Sequence, residues 1–232
     1  MALQYGHGQI VTTGLVLNLD SADTNSYPGS GTTWYDTSGY GNNGTLTNGP
    51  TYTSGPAGYI ATDGVNDYIN FGQKFQYQDQ FTAECWVKWA STPTQSGGCG
   101  VYAPIFTNKD YGWNISTNSS NNITWNIYNT SGAANSVTTS GAYLNQWVHI
   151  VAFKNGVTMG LYINGTSIGT ATLSTNSVYY VSYDCTIGGN HPCGSTTYYM
   201  ALRTGIVRIY NKVLSAAEIT QNFMAQRKRF EV

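Results

Sequence analysis

Trp147-Val148-His149-Ile150-Val151-Ala152-Phe153-Lys154-Asn155-Gly156-Val157-Thr158-Met159-Gly160-Leu161-Tyr162-Ile163-Asn164-Gly165 is the stretch on which the fold turns. In its first run apolar residues fall at both parities, Trp147, Val151 and Phe153 on one side and Val148, Ile150 and Ala152 on the other. A strand apolar on both faces belongs in the middle of a sheet with a layer packed on each side. Asn155-Gly156 then supplies the two residues of a tight hairpin, because both tolerate positive φ. Asn164-Gly165 offers a second turn towards 167–172.

Working outward, shorter strand-like runs occupy 15–20, 59–62, 68–71, 81–89, 104–108, 112–116, 123–128, 178–187 and 205–210, separated by Gly, Asn, Asp and Ser turns. Many short strands with frequent turn signals predict an all-β, two-sheet antiparallel sandwich. One helix is marked. Ser215-Ala216-Ala217-Glu218 is a capping box, in which hydroxyl and carboxylate satisfy each other's backbone amides. Ile219 and Phe223 follow on one face, so a short C-terminal helix is expected over about 215–226. No linker or repeat divides the chain, which reads as one domain over 14–232 behind an N-terminal arm, 1–13.

Composition narrows the partners. Only 9% of the 232 residues are charged, against about 25% in ordinary domains. Thr (30), Asn (22), Ser (19) and Gly (27) carry much of the surface instead. Residues 1–110 hold eight acids and three bases, 111–232 three acids and seven bases, and from 111 to 183 the one formal charge is Lys154. A net charge of −1 lacks the basic footprint of a nucleic-acid binder. No run of 18 apolar residues suggests a membrane span. The opening residues, without a basic or an apolar segment, give no expectation of a secretory signal. The tail Arg227-Lys228-Arg229 reads as a solvated or ion-pairing end. Cys85 lies in a strand and reads as a core thiol, while Cys99, Cys185 and Cys193 leave one unassigned disulfide open. The spacing of Cys185, His191 and Cys193 fits no zinc signature.

Several segments, taken in order, resemble one family. They are Gly14-Leu15-Val16-Leu17-Asn18-Leu19-Asp20, Trp34-Tyr35-Asp36-Thr37-Ser38-Gly39, Asp63-Gly64-Val65-Asn66-Asp67-Tyr68-Ile69 and Phe81-Thr82-Ala83-Glu84-Cys85-Trp86-Val87-Lys88. Trp147-Val148-His149-Ile150-Val151, Leu161-Tyr162-Ile163-Asn164-Gly165 and Val207-Arg208-Ile209-Tyr210 through Ile219 complete the series. Together they resemble the LamG-like, concanavalin A-like lectin/glucanase jelly-roll family. The run Tyr27-Pro28-Gly29-Ser30-Gly31-Thr32-Thr33-Trp34 and the ending Gln221-Asn222-Phe223 look like the versions found in bacteriophage virion proteins. The resemblance implies a jelly roll located in the virion: a capsid decoration, a fibre-type display protein, or the receptor-binding carbohydrate module of a tail fibre. It implies as partners other virion proteins, further copies of this chain in a homo-oligomer, and host-surface glycans.

The same superfamily contains glycoside hydrolases, which need two carboxylates on one strand face, one poised as an acid. Glu84 is flanked at two-residue spacing by Thr82 and Trp86 and not by acids, so a non-enzymatic protein is expected, with no catalytic residue. Asp63, Asn66 and Asp67 form the best oxygen-ligand cluster, and calcium is the cofactor such a set would take. The plainer reading of the same residues is a turn held by Asx side chains, with Asp20, Asp23 and Asp36 as a second acidic group that folding could bring near. Tyr35, Tyr40, Tyr102 and Tyr111, turn-region aromatics among neutral amides, are the candidate ligand contacts, since amphipathic rings suit neutral sugars and protein interfaces. Their plainer reading is core or subunit packing.

Overall fold

The computed structural model describes residues 8–92, 96–97, 100–108, 112–180, 182–193 and 196–232. The first strands are β1 (Leu15–Asp20), β2 (Thr33–Trp34), β3 (Gly44–Thr47), β4 (Thr51–Thr53), β5 (Tyr59–Asp63) and β6 (Tyr68–Asn70). They are followed by β7 (Gln80–Lys88), β8 (Ser96–Gly97), β9 (Gly100–Thr107), β10 (Trp113–Asn118), β11 (Ile123–Tyr128) and β12 (Ala134–Thr138). Then come β13 (Val148–Asn155), β14 (Thr158–Ile163), β15 (Thr166–Thr172), β16 (Thr186–Ile187), β17 (His191–Cys193), β18 (Thr196–Tyr198) and β19 (Ala201–Tyr210). The chain closes with α1 (Ala216–Gln226) and a 3-10 turn, Arg227–Phe230.

Among the described residues the strands build two antiparallel sheets. The first runs β15-β14-β13-β7-β19-β5-β4 with β1 alongside β19, the second β12-β11-β10-β9-β16-β6-β3-β2 with β8 on β9. A small hairpin pairs β17 with β18. This is the expected concanavalin A-like jelly roll with one short C-terminal helix. The opening hairpin forms as read: β13 pairs β14 from Ile150↔Ile163 to Asn155↔Thr158, with Gly156 at φ 56°. Ala83, Cys85, Ile150 and Val207 of the first sheet meet Ile69, Phe106, Trp113, Ile115 and Trp125 of the second in one buried core. Cys85 and Cys185 are buried free thiols, so Cys185 takes no part in the disulfide left open above. Cys99 lies outside the described residues. No described helix is long and apolar enough to cross a membrane.

The strand expectations shift in part: the predicted strand 178–187 shrinks to Thr186–Ile187, and strands form where none was read, among them the short β2, β3 and β4 and the edge strand β12. Ala134-Asn135-Ser136-Val137-Thr138 buries one side chain, Val137, so it shows almost no apolar alternation. Its strand state comes from pairing with β11. At the other end of the chain, Ser215 caps α1, accepting from the Glu218 amide, while Glu218 closes the box.

The outer face of the first sheet lies under α1. Thr82, Glu84 and Trp86 of β7 align with Tyr210, Arg208 and Ile206 of β19 and, at two positions, with Val151 and His149 of β13. Trp86 stacks on Phe230 at 4.5 Å and on His149 at 4.9 Å. Glu84 is fully buried and receives Arg208 Nη1 at 2.7 Å and Asn222 Nδ2 at 2.6 Å, with His149 Nε2 3.2 Å away. The described part of the arm is tied to the same place. Val11 N donates to Asn222 Oδ1 at 2.8 Å, Tyr210 Oη donates to the Val11 carbonyl, and Gln221 Nε2 donates to the Gln9 carbonyl. A charged cluster thus fastens helix and arm to the sheet.

Candidate functional site

The second sheet treats its outer face differently. Along β11 the inward side chains are Ile123, Trp125 and Ile127, which turns Thr124, Asn126 and Tyr128 outward. Period-2 alternation on a half-exposed strand gives this arrangement directly. The register then carries one row of polar residues across the sheet: Ser136↔Asn126, Asn126↔Asn114, Asn114↔Thr107, Thr107↔Thr186, Thr186↔Asn70. Three of these five pairs are bonded side chain to side chain. Ser136 Oγ donates to Asn126 Oδ1 at 2.5 Å, and Asn126 Nδ2 donates to Asn114 Oδ1 at 2.8 Å. The Thr107 and Thr186 hydroxyls lie 3.3 Å apart, and in the next row those of Thr124 and Thr138 lie 3.1 Å apart. Side chains bonded in a ladder are held in one geometry before any ligand arrives, which lowers the ordering cost of binding.

A depression of about 220 Å³ opens on this face. Its floor comes from β10 and β11, through Ser116, Asn118, Thr124, Asn126 and Tyr128. Its wall is aromatic. Tyr102 on β9 stands beside His191 of the β17–β18 hairpin, with ring centres 4.9 Å apart, and meets Tyr198 edge-on at 5.6 Å. Small-molecule pockets usually measure roughly 300–1,000 Å³, so this one suits the end of a larger ligand. None of its described lining residues is a carboxylate or a Lys or Arg. Lys154, the lone charge between 111 and 183, is fully buried elsewhere. Its ammonium donates to the carbonyls of Gln78 and Gly156 and to Asn176 Oδ1, and burial holds its pKa below the ordinary lysine value despite nearby Asp79. The described lining of the depression therefore carries no formal charge.

The structure sorts the sequence-predicted residues. Tyr102 lines the depression. Tyr35 (46% exposed) and Tyr40 (66% exposed) stand on the loop after β2 and are not among its lining. Tyr111 lies outside the described residues. Asp63, Asn66 and Asp67 form a hydrogen-bonded turn, in which Asp63 Oδ1 accepts the amides of Val65, Asn66 and Asp67 at 2.8, 3.2 and 3.3 Å. Slight burial would raise the Asp63 pKa, but these amides outweigh it and hold the carboxylate below its usual range. Burial, then the Asp63 charge, pushes Asp67 upward. These bonds are those of an Asx-type turn, and among the described residues no three His, Cys, Asp or Glu side chains gather to hold a metal. The second acidic group is spent separately. Asp20 pairs with both terminal nitrogens of Arg229, at 2.7 and 2.6 Å, and Asp36 accepts the amides of Asn18, Ser38 and Asn42.

Glu84, fully buried under α1, carries a lowered pKa. Burial would raise its pKa, yet Arg208 first, then His149 and Asn222, outweigh that and hold it at about 2. A glycosidase acid needs the opposite shift. Sequence reasoning missed Ser116, Asn118, Thr124, Asn126, Tyr128 and His191. The alternation of Ile123-Thr124-Trp125-Asn126-Ile127-Tyr128 was the available signal for three of them.

A two-sheet antiparallel sandwich that seals one outer face and leaves a neutral, aromatic-walled depression on the other has a lectin-like fold. The chain belongs to the concanavalin A-like lectin/glucanases superfamily, whose laminin G-type model matches residues 63–220. Among solved structures it is similar to the binding domain of Paraclostridial Mosquitocidal Protein 1, with 21% identity and a TM-score of 0.70, over 90% of this chain and 52% of that one. It is similar to the receptor binding domain of botulinum neurotoxin type G, with 18% identity and a TM-score of 0.67, over 91% and 51%. It is also similar to a Trypanosoma rangeli sialidase mutant displaying trans-sialidase activity, with 18% identity and a TM-score of 0.69, over 96% and 34%. This chain thus spans about half, or less, of those proteins, and the likeness is one of fold. No curated protein matches it by sequence.

Proposed function

We propose that this chain is a non-enzymatic recognition module of a bacteriophage virion surface, displayed as a capsid decoration or fibre-type component, that holds a neutral glycan in the depression of the second sheet. The observation that carries the reading is the depression itself, built from amides, hydroxyls and aromatic rings with no formal charge along its described lining. Neutral sugars offer hydroxyls that both donate and accept, which amide and hydroxyl side chains match. Their apolar ring faces suit a tyrosine wall. Two of the similar structures are a toxin's binding domain and a receptor binding domain, which agrees with this use of the fold. The virion placement rests on the resemblance of 27–34 and 221–223 to phage proteins.

The test is an array of neutral oligosaccharides probed with the wild-type chain and with Tyr102→Ala and Asn126→Ala. Binding that each change weakens by roughly tenfold or more supports the site, a loss of about 1.4 kcal/mol or more. A blank array, or binding indifferent to both changes, overturns it. Electron microscopy of particles carrying a labelled chain tests the virion placement separately.

A further inference from the structure

We infer that Lys154 and Asn176 join through an intramolecular isopeptide bond, the lysine amine displacing ammonia from the asparagine carboxamide with Asp79 as the proton carrier. Lysine is almost never fully buried unless it is paired. Lys154 is the one lysine buried among the described residues, and none of their ion pairs includes it. Its Nζ donates to the Gln78 and Gly156 carbonyls and, at 2.6 Å, to Asn176 Oδ1. From the other end of the same amide, Asn176 Nδ2 donates to Asp79 Oδ1 at 2.7 Å. Amine, carboxamide and carboxylate thus form one hydrogen-bonded chain.

The fold supplies the three groups from separate elements. Lys154 is on β13, where it pairs with Phe81 of β7. Asp79 precedes β7, and its carbonyl takes the Gly156 amide of the β13–β14 turn at 2.8 Å. Asn176 lies in the segment after β15, which is fastened on either side of it. Leu173 N donates to the Val157 carbonyl, while the Gln78 side chain accepts from the Val178 amide and donates to the Val178 carbonyl. Reactants fixed in contact react as parts of one molecule, at effective concentrations far beyond any reached in solution. Lys154 is closed off from water, whereas Asn176 and Asp79 reach the surface, which leaves ammonia a way out.

In the reaction Asp79 takes one proton from the ammonium, and the freed amine attacks Asn176 Cγ. Asp79 returns that proton to Nδ2 as the Cγ–Nδ2 bond breaks. The nitrogen left on Lys154 gives its surplus proton to the departing ammonia, so an ammonium ion leaves and a neutral amide remains. Nothing is oxidised or reduced, and no second substrate enters. Burial favours the free amine over the ammonium, with the Asp79 charge opposing. A neutral product also removes the cost of a buried cation, and its N–H is left to donate to the Gln78 or Gly156 carbonyl. The bond rests on this cluster alone, whether or not the depression of the second sheet takes a sugar.

Mass spectrometry of the full chain after incubation at mildly alkaline pH, followed by tryptic mapping, tests this. Wild type is expected to be lighter than its sequence by one ammonia, about 17 Da. Trypsin is expected to spare the bond after Lys154 and to release a branched peptide that joins the segments holding Lys154 and Asn176. Lys154→Met, Asp79→Ala and Asn176→Ala, each shown to be folded by circular dichroism, are expected to keep their full sequence mass. Asn176 is exposed, so its variant keeps the test open even where the lysine change prevents folding. Wild type at full mass, or cut by trypsin after Lys154, would overturn the inference. So would a loss of ammonia that persists in Lys154→Met, or one that hydroxylamine reverses by cleaving between Asn176 and Ser177, the mark of a succinimide. A cross-link formed undiminished in Asp79→Ala would overturn the part given to Asp79.

Discussion

The outer faces of the two sheets are made from the same kind of strand and end in opposite states. On the first sheet, Glu84, Arg208 and His149 are buried beneath α1, and the charges serve to hold helix and arm in place. On the second, outward-facing amides and hydroxyls of β10, β11 and β12 are bonded sideways, from Ser136 through Asn126 to the buried Asn114, and the depression opens beside them. The chain's few charges are concentrated where they lock structure. The difference teaches that scarcity of charge is a local property here: the lining of the depression carries no formal charge, while the buried charges under α1 are paired with each other.

The sharpest way to break the contrast is Glu84→Ala. Removing the carboxylate leaves Arg208 buried without its counter-charge, and breaking such a pair costs about 3–5 kcal/mol. Denaturant titration is expected to show a loss of that size, or failure to fold. Acid acts on the same residue. The Glu84 pKa falls from 4.5 unfolded to about 2 folded, so its contribution is complete above about 4.5 and fades as pH falls towards 2. The fading amounts to on the order of 3 kcal/mol. A melting temperature flat between pH 5 and 2.5 would contradict the buried pair.

Asn222→Ala comes next. One amide bridges Glu84, Tyr210 and the Val11 backbone, and losing bonds to a buried charge costs about 1.5–3 kcal/mol. Hydrogen exchange is expected to quicken first in α1 and in residues 8–13, with the second sheet unchanged. On the open face the order reverses: Asn126→Ala should cost stability by only about 1–2 kcal/mol, two neutral hydrogen bonds, while weakening glycan binding. The smallest effect is reserved for Tyr40→Ala. Its ring is 66% exposed and apart from the depression, so stability should move within about 0.5 kcal/mol, and binding on the array should not change.

How much of this was legible follows from how local each feature is. The β13–β14 hairpin was readable because its evidence lies within 19 consecutive residues, and α1 because a capping box spans four. The Glu84–Arg208 pair was not. It joins residues 124 apart through the β7–β19 register, which no local pattern encodes. The candidate site was half legible. The alternation in β11 separates Thr124, Asn126 and Tyr128 from the core side, but not an open outer face from a covered one, and on β7 the outer side is sealed by a helix. Reading tyrosines in turns selected both Tyr40, which stands apart from the depression, and Tyr102, which lines it from a strand position paired with Asn118 and not from a turn.

The central claim is that the neutral face of the second sheet is the binding surface and the charged face of the first is structural. The direct test is the neutral-oligosaccharide array run at 0.05 M and 0.5 M salt with wild type, Tyr102→Ala and Tyr40→Ala. Contacts without formal charge are not screened, so wild type should bind equally at both salt concentrations, Tyr40→Ala should match it, and Tyr102→Ala should lose the signal. Absence of any bound glycan, or binding that salt abolishes and Tyr102→Ala leaves untouched, would contradict the account.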